Sequence, residues 1–299
     1  MPKVELGIHS GHQDIGIDEV RAMWKRFDEG GLDFISVWDH LYESPYRDGS
    51  APTYEALTLL TTLALDTSRC RVSCLCFGMA YRNPALLAKA LTLIDHLSNG
   101  RLTVGLGAGW HVAEHEAYGY EFPEVKERLD RLSEGTRIGR SMFDNERTTF
   151  EGKYYRVNNV ANNPRPLQAH IPIIVGGGGE KRTMALAARY GDGTNQGYMT
   201  AESYAAKNKV ADEWCEKLGR DPKTLERSTL LHWRIFSKAR EGAGSDRPPG
   251  AIWGESQQVI DQLAEYVDAG AARISLAVRP PLDWDAIEMF IEDVIPAFQ

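Results

Sequence analysis

Asp39 and His40 stand side by side in the run Phe34-Ile-Ser-Val-Trp-Asp-His40. A histidine titrates near neutral pH and can take or give a proton, so it suits general acid–base work. An adjacent carboxylate can orient a cofactor's donor groups or raise a histidine pKa. A helix cap beside a packed histidine would show the same two residues, so their meaning depends on where the fold puts them. A second candidate is Gly176-Gly177-Gly178-Gly179. Glycines let backbone N–H groups approach a ligand closely, and a helix opening behind them favours an anion, usually phosphate. Lys181 and Arg182 would support an anion there, and Glu180 would oppose it slightly. A third is Gly105-Leu-Gly-Ala-Gly-Trp-His111. Its third glycine is misplaced for a GxGxxG dinucleotide turn, and close approach of backbone to a flat ligand explains it equally well. Trp38, Phe77, Tyr81 and Trp110 offer aromatic surface that suits a flat heterocycle, though each alone is more often core. His111 and Glu114 form a second tier of acid–base candidates, and His115 a third; an exposed helix start accounts for them about as well.

These residues can act together only if the chain brings them together. Short apolar strands alternate with amphipathic segments along the whole sequence. Val4, Leu6 and Ile8 alternate as in a strand, and Val20, Met23, Trp24 and Phe27 then mark one helix face. Further strands are expected at 34–37, 71–77, 102–106, 171–175, 192–196, 230–236 and 273–278. Helices are expected from about Thr53 to Leu65, at Asn83-Pro84 onward, from Pro123 to Phe143, from Glu180 to Tyr190, and around Trp214, Leu263 and Phe290. Eight strand–helix units in 299 residues predict an α/β fold, a (β/α)8 barrel. The whole chain, 1–299, reads as one barrel domain with insertions at about 144–170 and 237–254. The first insertion looks like a hairpin and the second, rich in Gly, Pro and charge, like an exposed loop. In a barrel the site lies at the C-terminal ends of the strands. His9, Asp39-His40, the 77–81 turn, Gly107 to His111, Gly176 to Gly179, Asn195-Gln196 and Arg279 all fall at such ends.

Composition narrows the field. An excess of 42 acidic over 34 basic residues, a net charge of −8, argues against a general nucleic-acid binder. No apolar run approaches the roughly 20 residues of a membrane span, and the first residues lack a signal-peptide core. A cytoplasmic protein is the simplest expectation. Cys70, Cys74, Cys76 and Cys215 form no CxxC. In an extended segment the first three would share one face, as small buried core residues. No His-x-His pair is present, so no metal site is expected.

Several of these stretches resemble one known family. The run ending at His40, Tyr81-Arg-Asn-Pro-Ala-Leu-Leu-Ala-Lys89, Leu93-Ile-Asp-His-Leu-Ser-Asn-Gly-Arg101, Gly105 to His111, Phe150-Glu-Gly-Lys-Tyr-Tyr155 and Ile173 to Gly179 are jointly similar to the bacterial luciferase-like superfamily. The branch they resemble is the coenzyme F420-dependent oxidoreductases. The resemblance implies a TIM barrel, often a homodimer, that binds F420 or FMN and a small-molecule substrate. It implies that Asp39 contacts the deazaflavin ring and that His40 is the acid–base group. Cys76, Gly78, Gly107, Ala108, Gly109 and Trp110 would line the ring, and Gly176, Gly177, Gly178 and Gly179 would hold the phosphate. It also implies a non-proline cis peptide at Cys74-Leu75. Sugar-phosphate dehydrogenases of this branch carry a catalytic Glu after the fourth strand, where Trp110 stands here. That departure favours hydride transfer to an activated alkene, imine or carbonyl. An FMN-dependent monooxygenase is the alternative with the same fold, and a non-catalytic flavin- or deazaflavin-binding protein is the alternative without chemistry.

Overall fold

Residues 4–43, 48–236 and 248–299 are described by the structure, a computed structural model. The strands are β1 (Glu5–Ser10), β2 (Phe34–Val37), β3 (Arg71–Gly78), β4 (Leu102–Gly107), β5 (Arg147–Glu151), β6 (Arg156–Ala161), β7 (Ile173–Gly176), β8 (Gly193–Gly197), β9 (Glu226–Ile235), β10 (Ala251–Gly254) and β11 (Arg273–Val278). The helices are α1 (Ile17–Glu29), α2 (Ala56–Asp66), α3 (Pro84–Leu97), α4 (Val112–Ala117), α5 (Val125–Asp144), α6 (Thr183–Tyr190), α7 (Ala201–Lys217), α8 (Ser256–Asp268) and α9 (Trp284–Met289).

Local chemistry explains the alternation. In α1, Val20, Met23, Trp24 and Phe27 are all buried against the strands. Asn83 opens α3 by accepting hydrogen bonds from the Ala85 and Leu86 N–H groups, with Pro84 following. Such a cap stabilises a helix by about 1 kcal/mol. Gly100 closes it at φ +77°, a conformation that favours glycine.

All the barrel strands run parallel. The order β9-β11-β1-β2-β3-β4-β7-β8 is closed by pairing of β8 with β9, giving an eight-stranded (β/α)8 TIM barrel. The first inserted stretch forms the antiparallel β5–β6 pair outside the barrel. From its end Tyr155 donates a 2.8 Å hydrogen bond to the Met79 carbonyl, which ties the insertion to the turn after β3. The second inserted stretch departs from the loop expected of it. Ala251–Gly254 is strand β10, parallel to the end of β9, with Ala251 and Ile252 buried. An apolar tetrapeptide beside an unpaired strand edge gains both ladder bonds and burial. The rest of that expected loop, 237–247, lies outside the described residues.

Two further expectations change at β3. Its register with β4 shifts between Cys74 and Phe77. The non-proline cis bond is Leu75–Cys76, not Cys74–Leu75, because Cys74 still pairs normally with Val104. The irregularity also breaks the expected shared face of the cysteines. Cys70 and Cys74 pack in the hydrophobic core. Cys76 turns toward the barrel axis, so that a Cβ added at Gly176 would sit 2.4 Å from its Sγ. At the opposite end, Arg273 joins Glu5 (2.7 Å) and Glu226 (3.3 Å).

Candidate active site

At the C-terminal ends of the strands a cavity of about 920 Å³ opens. Its wall includes His9 from β1, Trp38 and His40 after β2, Leu75 from β3 and Trp110 after β4. Tyr198, His232, Arg234, Phe236, Arg279, Pro280 and Pro281 continue it across the ends of β8, β9 and β11. The side chains interlock as rings. His9 and His12 lie 5.4 and 4.8 Å from Trp38, and His40 lies 5.0 Å from Trp110. Tyr198 stacks on His232 at 4.1 Å, and the Arg279 guanidinium sits 5.2 Å from the Trp38 ring. Burial pushes His9 well below the usual histidine range, with His12, Arg279 and His40 adding to the effect. His12 falls to about 3, chiefly because it is buried.

Among the described residues, Glu114 is the hydrogen-bond partner of His40. Its Nδ1 lies 2.8 Å from Glu114 Oε1, and the Glu114 side chain is almost fully buried. Tyr81 donates its hydroxyl to the same oxygen at 2.5 Å. The Leu41 and Tyr42 N–H groups donate to Oε2 at 2.7 and 3.2 Å. Burial alone would raise the Glu114 pKa; the bonds from His40, Tyr81 and Leu41 outweigh it and hold the carboxyl at about 2. A carboxylate depressed in the folded state stabilises the fold above its unfolded pKa and loses that contribution as pH falls through the folded one. The urea stability gap between wild type and Glu114→Gln should therefore close as the pH falls from about 4.5 to about 2. A gap constant over that window would refute the assignment.

Asp39 looks the other way. Its oxygens take a bidentate pair from Arg82 at 2.6 and 2.8 Å, and Oδ2 also accepts the Gly78 N–H at 2.8 Å. Burial pushes the Asp39 carboxyl up, while Arg82 and the Gly78 N–H pull it back. Arg82 also bonds Glu55, the cap of α2. Adjacent in sequence, Asp39 and His40 thus face different partners.

Of the residues expected to bind a cofactor, Trp110 borders the large cavity, half-exposed. Asp39, Cys76, Gly78, Gly107, Ala108, Gly109 and Gly176 to Gly179 lie at the adjoining ends of β2, β3, β4 and β7. Their geometry is a shelf with little side chain on it. A Cβ at Gly105 would come 2.2 Å from the Cys74 carbonyl oxygen, and one at Gly178 would meet nothing within 4 Å. Gly109 and Gly177 hold φ of +77° and +121°. Of the two cations expected to serve the glycine turn, Arg182 is drawn away from it. Arg182 bonds Asp130 and the Lys126 carbonyl, both on α5. Lys207 of α7 instead reaches the turn, at the Gly178 carbonyl (3.2 Å) and Glu180. Sequence reasoning ranked Glu114 too low and missed Arg82, Tyr198, His232 and Arg234. Arg82 and Tyr198 follow strand ends and His232 and Arg234 lie in the C-terminal part of β9, so nearness to a strand's C-terminal end was the one signal that marked them.

The luciferase-like monooxygenase family profile matches residues 3–236. An F420-dependent glucose-6-phosphate dehydrogenase of Kineococcus radiotolerans is 38% identical over 191 residues, 64% of this chain and 55% of that one. Another, of Intrasporangium calvum, is 27% identical over 99% of both chains. The chain spans 55% and 56% of the length of the first two curated relatives it matches. Among solved structures, an F420-dependent secondary alcohol dehydrogenase in complex with an F420-acetone adduct superposes with a TM-score of 0.87 at 19% identity, over 99% of both chains. The coenzyme F420-dependent tetrahydromethanopterin reductase of Methanopyrus kandleri gives 0.84 at 18%, over 99% of this chain and 100% of that one. At such identities these two superpositions are likenesses of fold.

Proposed function

The chain belongs to the luciferase-like monooxygenase family, and from that premise we propose that it is an F420-dependent oxidoreductase. It moves a hydride between the deazaflavin and a small organic substrate. The observation that carries this reading is His40: an imidazole on the cavity wall whose Nδ1 is fixed by Glu114. A group so placed serves hydride chemistry, which needs a proton delivered or removed beside the hydride.

The residues at the strand ends fit such a cofactor. The Cys76 side chain packs against Gly107 and Gly176, where a Cβ would crowd it, so the glycines let it sit as the low floor of a flat ring's site, and the open turn at Gly178 leaves room for a phosphate. Cys76, Ala108, Gly109 and Trp110 would flank the ring, with Gly176 to Gly179 around the phosphate. Asp39, clamped by Arg82, would act by fixing the Gly78 backbone under the ring. When bound, F420 supplies a two-electron hydride carrier. His40 then gives or takes the proton through Nε2, and Trp110 against its ring limits water. The rings lining the β8–β11 side suit a flat substrate such as an activated alkene, imine or carbonyl. Glu114 does not stand in for the carboxylate missing at Trp110, because its acceptor positions are filled by protein donors.

Cofactor identity tests this reading. Purified protein titrated with F420 and with FMN, followed by fluorescence, should bind F420 at least about tenfold more tightly. Tight FMN binding without F420 binding would overturn it and favour the monooxygenase alternative. With F420 bound, a substrate panel of cyclic enones, cyclic imines and ketones should outpace glucose 6-phosphate.

The active form is a homodimer, and its support is one helix face. Leu86, Leu93 and Leu97 recur at positions i, i+7 and i+11 on α3, and the first two are 67% and 58% exposed. Leu65 of α2, 63% exposed, extends the apolar surface. The double variant Leu86→Glu, Leu93→Glu should run as a monomer in light scattering while wild type runs as a dimer. A monomeric wild type would refute the proposal.

A further inference from the structure

Four donors converge on Glu114: His40 Nδ1 and the Tyr81 hydroxyl on Oε1, and the Leu41 and Tyr42 N–H groups on Oε2. An ionised carboxylate is acceptor-only and offers about four lone-pair positions. All four are taken, so Glu114 has nothing to donate. Two of the four donors are backbone amides, which cannot reverse their polarity. The nitrogen of His40 that faces Glu114 must therefore carry a hydrogen.

The rest of the network agrees. Tyr81 gives its only proton to Glu114, so its oxygen can only accept from His115, whose Nδ1 lies 3.2 Å away. His115 Nδ1 is also 2.9 Å from the His111 carbonyl, an acceptor that requires a proton on that nitrogen. Burial keeps His115 below its ordinary pKa, against the pull of the His111 carbonyl and Glu114. Its Nε2 is buried without a partner among the described residues. The hydrogens of three side chains are thus set in order, running outward from the carboxylate.

We infer that Glu114 is a positioning residue that fixes neutral His40 as its Nδ1–H tautomer, leaving the Nε2 lone pair to exchange protons on the cavity side. The inference rests on the proposed function for its catalytic meaning, but the tautomer itself does not depend on any cofactor. Glu114 reaches across the fold to do this. It stands on α4 after β4, His40 to Tyr42 follow β2, and Tyr81 follows β3, so one carboxylate joins three strand-end loops. The other titratable groups around His40 are His111, with ring centroids 5.6 Å apart, and the buried His9 and His12. None of these hydrogen-bonds the His40 ring.

Long-range proton–nitrogen NMR on ¹⁵N-histidine-labelled protein reads the tautomer directly, without F420 or substrate. The His40 signals are assigned by their loss in His40→Asn. Above its titration, wild-type His40 should show a protonated Nδ1 and a bare Nε2. In Glu114→Gln the Nε2–H form should appear. Glu114→Asp should restore part of the Nδ1–H form. Because Glu114→Gln also disturbs the Leu41 and Tyr42 amides, Tyr81→Phe serves as the control. It removes one donor, spares the His40 bond and should keep the wild-type tautomer. A neutral wild-type His40 carrying its hydrogen on Nε2 would overturn the inference, as would a Glu114→Gln spectrum identical to wild type. F420 titration of the same samples separates this outcome from failure of the cofactor assignment.

Discussion

Replacing His40 with Asn is expected to slow turnover with F420 by roughly 10²- to 10⁴-fold, the range that a positioned acid–base group contributes. The assay uses whichever panel substrate gives wild type its highest rate. F420 affinity should stay within about threefold, because a proton-transfer interaction is made in the transition state rather than in the bound ground state. For the same reason kcat and kcat/KM should fall together. Geometry makes the substitution a clean one. His40 is a wall residue of the cavity, 15% exposed at its side chain, with Glu114 as its hydrogen-bond partner. Glu114 keeps three of its four donors when the imidazole is removed. A variant turning over at the wild-type rate would remove His40 from the chemistry. A variant that loses F420 binding outright would make it a cofactor ligand instead.

The barrel was legible in the sequence because its signals are local. Each strand is a short apolar run, each helix shows a buried face, and Asn83-Pro84 and Gly100 punctuate α3 within one segment. The candidate site was legible to the extent that it sits at strand ends, which is why His40, Trp110 and the glycine turn could be named. Partnerships over long separations were not. Glu114 meets His40 across 74 positions and Arg82 meets Asp39 across 43. Nothing in the spacing of Asp39-His40 says that the two side chains part company. Arg182 follows the glycine turn in sequence, yet Asp130 on α5 draws it away, and Lys207, 28 residues beyond Gly179, comes closer to the turn. Strand β10 was hidden because its four apolar residues sit beside a Gly- and Pro-rich stretch, and only the free edge of β9 gives them a partner. The shift in β3 was hidden for a related reason. Parity along a strand assumes an unbroken ladder, and the ladder breaks between Cys74 and Phe77.

Removing the Arg82 guanidinium should cost more stability than any other single change at the site. Its side chain is 15% exposed, and the Asp39 carboxylate it holds is fully buried. Arg82→Met would leave Asp39 with the Gly78 N–H as its remaining hydrogen bond. Breaking a buried pair from one side typically costs about 3–5 kcal/mol, because the surviving charge has lost both water and its partner. Glu55 is less affected, since the Leu57 and Thr58 N–H groups still hold it as the cap of α2. The sign of the pH dependence follows from Asp39. Burial pushes its pKa up even with Arg82 present. A carboxyl with a raised folded-state pKa binds its proton more tightly in the fold, so the fold weakens as pH rises and the group ionises. The Arg82→Met deficit in guanidinium unfolding should therefore widen as pH rises and Asp39 ionises, and narrow as pH falls and Asp39 takes up its proton. Pairing it with Asp39→Asn removes the orphaned charge, and the double variant should recover roughly 2 kcal/mol or more of the loss. A single variant within about 1 kcal/mol of wild type would mean that the pair contributes little to holding β2 against the turn after β3. In that case Asp39 would be free to turn toward the ring site, and its substitution would change F420 affinity instead of stability.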